Sequence, residues 1–153
     1  MAQHQNTSNI DKVIVAVVPA RHGSKRIPNK NIKLFAGKPI LAYSIEAARQ
    51  TDVFDRIIVS TDSFEIAAIA KKCGAEVPFI RPAHLANDHA TTAAVILHTL
   101  EWLNQNGFAV SYLCCIYATA PLLRPADIIR GLEILKSAGA TSAFSVTTFS
   151  YPI

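Results

Sequence analysis

From Lys12 to Ser44 the chain has no Asp or Glu, while seven cations fall in the same interval: Lys12, Arg21, Lys25, Arg26, Lys30, Lys33 and Lys38. Like charges confined to a loop and the turn after it repel one another, and an anionic ligand carrying several negative charges relieves that repulsion. Cysteine is sparse: Cys73, Cys114 and Cys115 are an odd number with no Cys-x-x-Cys spacing. That excludes a disulfide framework and a zinc site, makes a reducing cytoplasm the default setting, and leaves the three thiols to core packing. No apolar run approaches membrane-spanning length, and Met1 to Asn9 is polar with no hydrophobic stretch of the kind a signal peptide needs. Residues 1–11 are expected to be a disordered tail. Two familiar phosphate loops are missing as well. No G-x-G-x-x-G follows the first apolar run, and neither Gly23-Ser24-Lys25 nor Gly37-Lys38-Pro39 completes G-x-x-x-x-G-K-[ST].

What is present is a chain of 153 residues, half of them hydrophobic and 17% charged, enough for one folded domain over residues 12–153. The net charge of +4 is concentrated in the basic stretch. This argues for one anionic ligand site and against nucleic-acid binding, which favours basic residues spread over a face with exposed aromatics. Val13 to Val18 reads as a buried strand, and the segment after it leaves the sheet at the strand's carboxyl end, where open α/β sheets hold ligands. There, Pro19-Ala20-Arg21-His22-Gly23-Ser24-Lys25-Arg26-Ile27-Pro28-Asn29-Lys30-Asn31 combines cations with a hydroxyl donor, Ser24. Gly23 allows close backbone approach or positive φ, and Pro28 stiffens the loop. Polyphosphate is the expected ligand.

Further along, Pro39 is placed to open a first helix reaching about Gln50, and Arg56 to Ser60 is a second buried strand. Asp62, with Glu65 three residues on, reads as a helix cap, and Gly74 as a left-handed stop after Cys73. Val77 to Ile80 is a third strand, demoted toward an edge by Pro78. A third helix is capped by Asn87 or Asp88 and carries Ala93, Ile96, Leu97, Leu100 and Leu103 at helical spacing. Tyr112 to Tyr117 is a fourth strand, Pro125 and Asp127 begin a fourth helix that Gly139 closes, and Ser142 to Thr148 reads as a fifth strand. The alternation predicts a Rossmann-like, mainly parallel α/β sheet with helices on both faces. Its carboxyl edge would gather Arg21 to Asn31, Thr61-Asp62, Arg81 and Ala118 to Pro121.

The opening motif, with Gly37-Lys38-Pro39 after it, resembles that of the acylneuraminate cytidylyltransferases, enzymes that make CMP-activated sialic acids. Val59-Ser60-Thr61-Asp62, Gly74-Ala75-Glu76-Val77-Pro78-Phe79, Arg81-Pro82 and Thr119-Ala120-Pro121 continue the likeness in order. The resemblance implies a nucleotide-diphospho-sugar transferase-like fold, CTP and a nonulosonic acid as substrates, pyrophosphate as product and Mg²⁺ as cofactor. It places Arg21 and Lys30 in catalysis, Arg21, Ser24, Lys30, Asn31, Arg81 and Thr92 around the nucleotide, and Tyr117 and Thr119 at the sugar. The positively charged members suit a reaction that consists mainly of positioning and neutralising developing charge.

Two departures shape the expectation. Where sialic acid enzymes carry Gln in a Q-x-T-[SA]-P segment, this chain has Tyr117-Ala118-Thr119-Ala120-Pro121, which resembles the pseudaminic acid cytidylyltransferases. An aromatic there replaces an amide that both donates and accepts, and favours a less polar sugar face. The family also continues into a segment that completes the sugar pocket, much of the homodimer contact and an acidic metal motif, whereas the last acidic residue here is Glu133. The chain therefore reads as the N-terminal part of the family's catalytic domain, with metal ligands unassigned. N-acetylneuraminate or 3-deoxy-manno-octulosonate as the acceptor, and a CTP-binding module without turnover, stay open.

Overall fold

The computed structural model describes residues 12–148, so the expected tail at 1–11 and the last five positions lie outside the described residues. Its central element is β1 (Lys12–Pro19), whose side chains alternate between two cores as the period of a strand requires. Ala16 and Val18 join one apolar cluster, Val15 and Val17 the other, and all four are fully buried. Parallel strands flank it: β4 (Arg56–Ser60) and β5 (Ala109–Cys115), in the order β4-β1-β5. Val17 lies opposite Ile58 on one side and Cys115 on the other, so the strand's backbone groups are paired along both edges.

Helices cover both faces, as expected. The first cluster takes Leu41 and Ile45 from α1 (Ile40–Gln50), Ile66 and Ala70 from α2 (Phe64–Lys72), and Ile128 from α4 (Pro125–Ala138). The second takes Leu103 from α3 (Thr92–Gln105), with Ile96 and Trp102 packed beside it. Alanines 42, 47 and 48 on the buried side of α1 let that helix approach the sheet closely. Gly139, at φ 58°, ends α4, and Gly74, at φ 88°, follows α2, both as the sequence suggested.

Several local expectations are corrected. Val77 to Ile80 is not a strand; single parallel bridges join Ile58 to Glu76 and Thr61 to Ile80, with Pro78, which has no N–H, between them. Pro39 precedes α1 instead of opening it, because it belongs to a short hairpin. There β2 (Leu34–Phe35) pairs with β3 (Lys38–Pro39) across Ala36 and Gly37, at φ 44° and 89°. A two-residue hairpin of this hand demands positive φ at both positions. The fourth strand starts three residues earlier than expected and stops at Cys115, which is exposed, so not all three thiols are core residues. On α3 the fully packed positions are Val95, Thr99 and Leu103, while Leu97 is 58% exposed.

The caps differ too. Ser63 Oγ, not Asp62, accepts the N–H of Ile66 at 3.3 Å to cap α2. Thr91 Oγ1, not Asn87 or Asp88, accepts that of Ala94 at 3.2 Å to cap α3. No strand forms over Ser142–Thr148, where Phe144 and Val146 are 83% and 81% exposed. Alternating apolar residues supply a side-chain face, but a strand also needs a backbone neighbour, and this segment does not dock on the free outer edge of β5.

Ile58 is fully buried at the centre of β4, so Ile58→Ala is expected to lower unfolding free energy by about 2–5 kcal/mol in urea titrations, while Leu97→Ala stays within about 0.5 kcal/mol.

Candidate functional site

The chain leaves β1 under tight control. Ala20 N–H donates to the carbonyl of Ser60 at 2.9 Å, which carries the β1–β4 ladder one residue beyond the strand. His22 N–H then donates to Asp62 Oδ1 at 2.8 Å, tying the start of the basic loop to the end of β4. Ten residues later Asn31, only 7% exposed, donates its side-chain amide to the carbonyl of Arg21 at 2.8 Å. The loop is thus closed across its own neck. Positive φ falls on Asn29 (52°), not on Gly23, and the carbonyl of Asn29 accepts from both Ile32 and Lys33 as a turn of 3₁₀ helix, Lys30–Ile32, brings the chain back. Gly23 faces open space, where a Cβ would meet nothing within 4 Å.

The loop borders a half-open cavity of about 600 Å³, lined by Arg21, Lys25, Arg26 and Lys30 together with Ser24, Ile27 and Asp88. Four of the seven cations counted in the sequence therefore face one space. Lys38 does not, being paired with Glu46 on α1 and seated 4.2 Å from the centre of the Tyr43 ring. Lys12 stands at the opposite end of β1. The one carboxylate in the lining, Asp88, comes from the segment before α3 and meets Arg21 Nη1 at 2.7 Å and Lys25 Nζ at 2.5 Å. Hydrogen bonds from Lys25 and Arg21 hold its carboxyl down at about 2, so it is ionised at neutral pH. Four cations against one carboxylate leave the lining with three uncompensated positive charges, a match for a polyphosphate.

The other expected residues sit around this cavity and not in its lining. Arg81 is 4% exposed and donates from Nε to Ser60 Oγ at 3.1 Å, from Nη2 to the Ser60 carbonyl and from Nη1 to the carbonyl of Leu85 at 3.4 Å. It is not the surface ion pair that an isolated arginine suggests. Burial pushes its guanidinium below its ordinary value; Asp62 offsets part of this and Arg21 adds to it. Thr92 opens α3, and its hydroxyl lies 3.4 Å from that of Tyr117, an exposed residue just beyond β5 whose carbonyl accepts from Ser44 Oγ at 2.8 Å. Thr119 is half-buried in the next turn. The expected residues thus split into a cationic cavity (Arg21, Ser24, Lys30), two buried braces of nearby backbone (Asn31, Arg81), and a hydroxyl-bearing rim (Thr92, Tyr117).

Sequence reasoning left Asp62 and Asp88 out of the site, reading Asp62 as a cap and Asp88 as one of two candidates for the next cap. A usable signal did exist: both are acidic residues on loops that the alternation of elements sends to the carboxyl edge of the sheet. Among the described residues no three His, Cys, Asp or Glu side chains come together in a way that could hold a metal ion. Nor is any helix among them long and apolar enough to cross a membrane.

Comparison with known proteins points one way. A family model described as cytidylyltransferase matches residues 15–150. The chain is 41% identical over 139 residues, 91% of its length, to a pseudaminic acid cytidylyltransferase of Campylobacter jejuni, of which it covers 60%. It is 39% identical over 137 residues, 90% of its length, to the CMP-N,N'-diacetyllegionaminic acid synthase of Legionella pneumophila, of which it covers 59%. The chain thus spans about three-fifths of the length of these curated relatives. Among solved structures, a CMP:2-keto-3-deoxy-manno-octonic acid synthetase complexed with CTP superposes with a TM-score of 0.67 at 25% identity, covering 85% of this chain and 49% of that one. A 4-diphosphocytidyl-2C-methyl-D-erythritol synthase from Anaerococcus prevotii, 16% identical at a TM-score of 0.60 over 82% of this chain and 52% of that one, shares the fold.

Two outcomes test the geometry itself. Asp62→Ala is expected to speed hydrogen exchange at the His22 amide about fivefold or more, the loss of roughly 1 kcal/mol of hydrogen bonding. Carboxyl-detected NMR should find Asp88 titrating near 2, with the carboxylate's contribution to stability complete above about pH 4 and lost as pH falls from there through about 2. Lys25→Met is expected to move the titration upward.

Proposed function

This chain belongs to the cytidylyltransferase family, and from that premise we propose that it carries the nucleotide-binding part of an enzyme that transfers CMP from CTP to a nonulosonic acid, with pseudaminic acid as the acceptor. The observation that carries the reading is the closed basic loop at the end of β1, with Arg21, Ser24 and Lys30 facing one cavity beside Lys25 and Arg26. In this proposal the triphosphate occupies that cavity. The anomeric hydroxyl of the sugar acid attacks the α-phosphorus; the new O–P bond forms as the bond to the β-phosphate breaks, the hydroxyl proton is lost, and pyrophosphate leaves. Arg21 and Lys30 neutralise the charge that gathers on the departing pyrophosphate, and Ser24 donates a hydroxyl hydrogen bond.

Asn31 and Arg81 act as supports for the cytidine end, since Asn31 donates to the carbonyl of Arg21 and Arg81 donates to the hydroxyl and carbonyl of Ser60 and the carbonyl of Leu85. Thr92 belongs to the nucleotide side of the rim, and Tyr117 and Thr119 face the sugar. Support for pseudaminic acid comes from the Campylobacter relative and from the apolar ring of Tyr117, 61% exposed, at the position where an amide would select a more polar face. The described residues do not by themselves build a divalent-cation site. Mg²⁺ therefore belongs to the proposal only as the counter-ion a nucleoside triphosphate brings, its phosphate oxygens being hard ligands. A cytoplasmic setting belongs to the same proposal.

Pyrophosphate release from CTP and pseudaminic acid with Mg²⁺ is the direct test, and CTP binding without release would leave these residues with binding alone. In calorimetric titration Arg21→Ala is expected to weaken CTP binding about 10- to 100-fold, the loss of a charge-assisted contact worth roughly 1.5–3 kcal/mol; unchanged affinity would remove the loop from the nucleotide site.

A further inference from the structure

Asp88 is held where a phosphate would be. The segment that presents it is fixed on both sides. Before it, the carbonyl of Leu85 accepts from the buried Arg81, and the Asn87 side chain donates to the carbonyl of His84 at 3.0 Å. After it, Asn87 Oδ1 accepts from His89 N–H at 2.8 Å and Ala90 N–H at 2.9 Å, and Thr91 caps α3. On this braced turn the Asp88 side chain reaches across to Arg21 and Lys25, residues 67 and 63 positions earlier in the chain (88 − 21 and 88 − 25). Its two oxygens divide between the two cations, one each, as the oxygens of a bound phosphate would.

Resting on the reading of this cavity as a phosphate site, we propose that Asp88 is an internal counter-anion that occupies the cavity in the free protein and competes with the phosphates of the ligand. In the free state the carboxylate relieves part of the repulsion among Arg21, Lys25, Arg26 and Lys30 and holds Arg21 and Lys25 in position. On binding, phosphate oxygens replace it at both cations, and Asp88 must turn away or be repelled. The apparent affinity is therefore lowered by the fraction of molecules in which the carboxylate sits on its partners. Asp88 acts as a gate on charge, not as a group that touches the reacting atoms.

The test is a titration of the full chain with inorganic pyrophosphate, and separately with CTP, in magnesium-free buffer. Wild type, Asp88→Asn, Asp88→Ser and Arg21→Ala are compared, with denaturation midpoints confirming that each is folded. Asp88→Asn and Asp88→Ser are expected to bind both ligands about fivefold more tightly than wild type, the scale of a partly exposed ion pair. Equal or weaker binding by both Asp88 variants, while Arg21→Ala still loses affinity, would overturn the counter-anion and leave the phosphate site standing. Binding that Arg21→Ala leaves unchanged, or no binding by any form, would overturn the phosphate-site reading and the counter-anion with it.

Discussion

The parallel ladders on either side of β1 are the constraint on which the site depends. Because Val17 is paired to β4 on one edge and β5 on the other, and because its neighbours alternate into two separate cores, the strand cannot slide or turn without exposing Val15, Ala16, Val17 and Val18 together. A one-residue shift would exchange the two faces outright. The carboxyl ends of β1, β4 and β5 are therefore fixed relative to one another, and so are the first residues of the loops that leave them. Ala20 on Ser60, His22 on Asp62 and Ser44 on the carbonyl of Tyr117 carry that order outward from the sheet, each bond joining parts of the chain at least 40 residues apart. What results is a platform stiff enough to hold several like charges together.

Concentrating those charges is unfavourable, and the structure answers this twice. Geometry confines the repulsion: only four of the seven cations line the cavity, while Lys38 is diverted to Glu46 and the ring of Tyr43. Covalent economy supplies the rest, since the chain brings its own anion in Asp88. The neck of the loop is held by the uncharged Asn31 amide and by the carboxylate of Asp62, which accepts from backbone and leaves the lysines and arginines unpaired by it. Neutral or backbone-directed bracing of this kind keeps the positive field available to an incoming ligand.

What the sequence made legible follows the range of each interaction. The Val-rich run of β1, the buried run of β4, the four helices and the left-handed glycines are local or periodic signals, and the structure contains them. The basic loop was legible because its charge is contiguous. Asp62 and Asp88 were misread because a carboxylate near a helix start looks the same whether it caps the helix or reaches a loop 40 or 67 residues away (62 − 22 and 88 − 21); only the fold decides. Ser63 and Thr91, one and three residues further on, take the caps in their place. The hairpin at Ala36-Gly37 was hidden because alanine rarely adopts the positive φ found there. Ser142–Thr148 failed for a different reason: its alternating pattern describes a face, whereas a strand also needs backbone pairing, which this segment does not make.

Arg81 gives the platform a property that its surface cations lack. Its guanidinium is sealed among carbonyls and a serine hydroxyl, with no carboxylate in contact, yet Arg21 and Asp62 are close enough to perturb it. Mobile ions in the surrounding solution screen Lys25, Arg26 and Lys30 readily, but they approach the largely buried Arg81 far less closely. As ionic strength rises, the attraction exerted by those lining cations fades while that of the buried guanidinium falls less. In the proposed site, capture of an anion from a distance and its retention once seated would thus answer to different charges, one tuned by the medium and the other set by the fold.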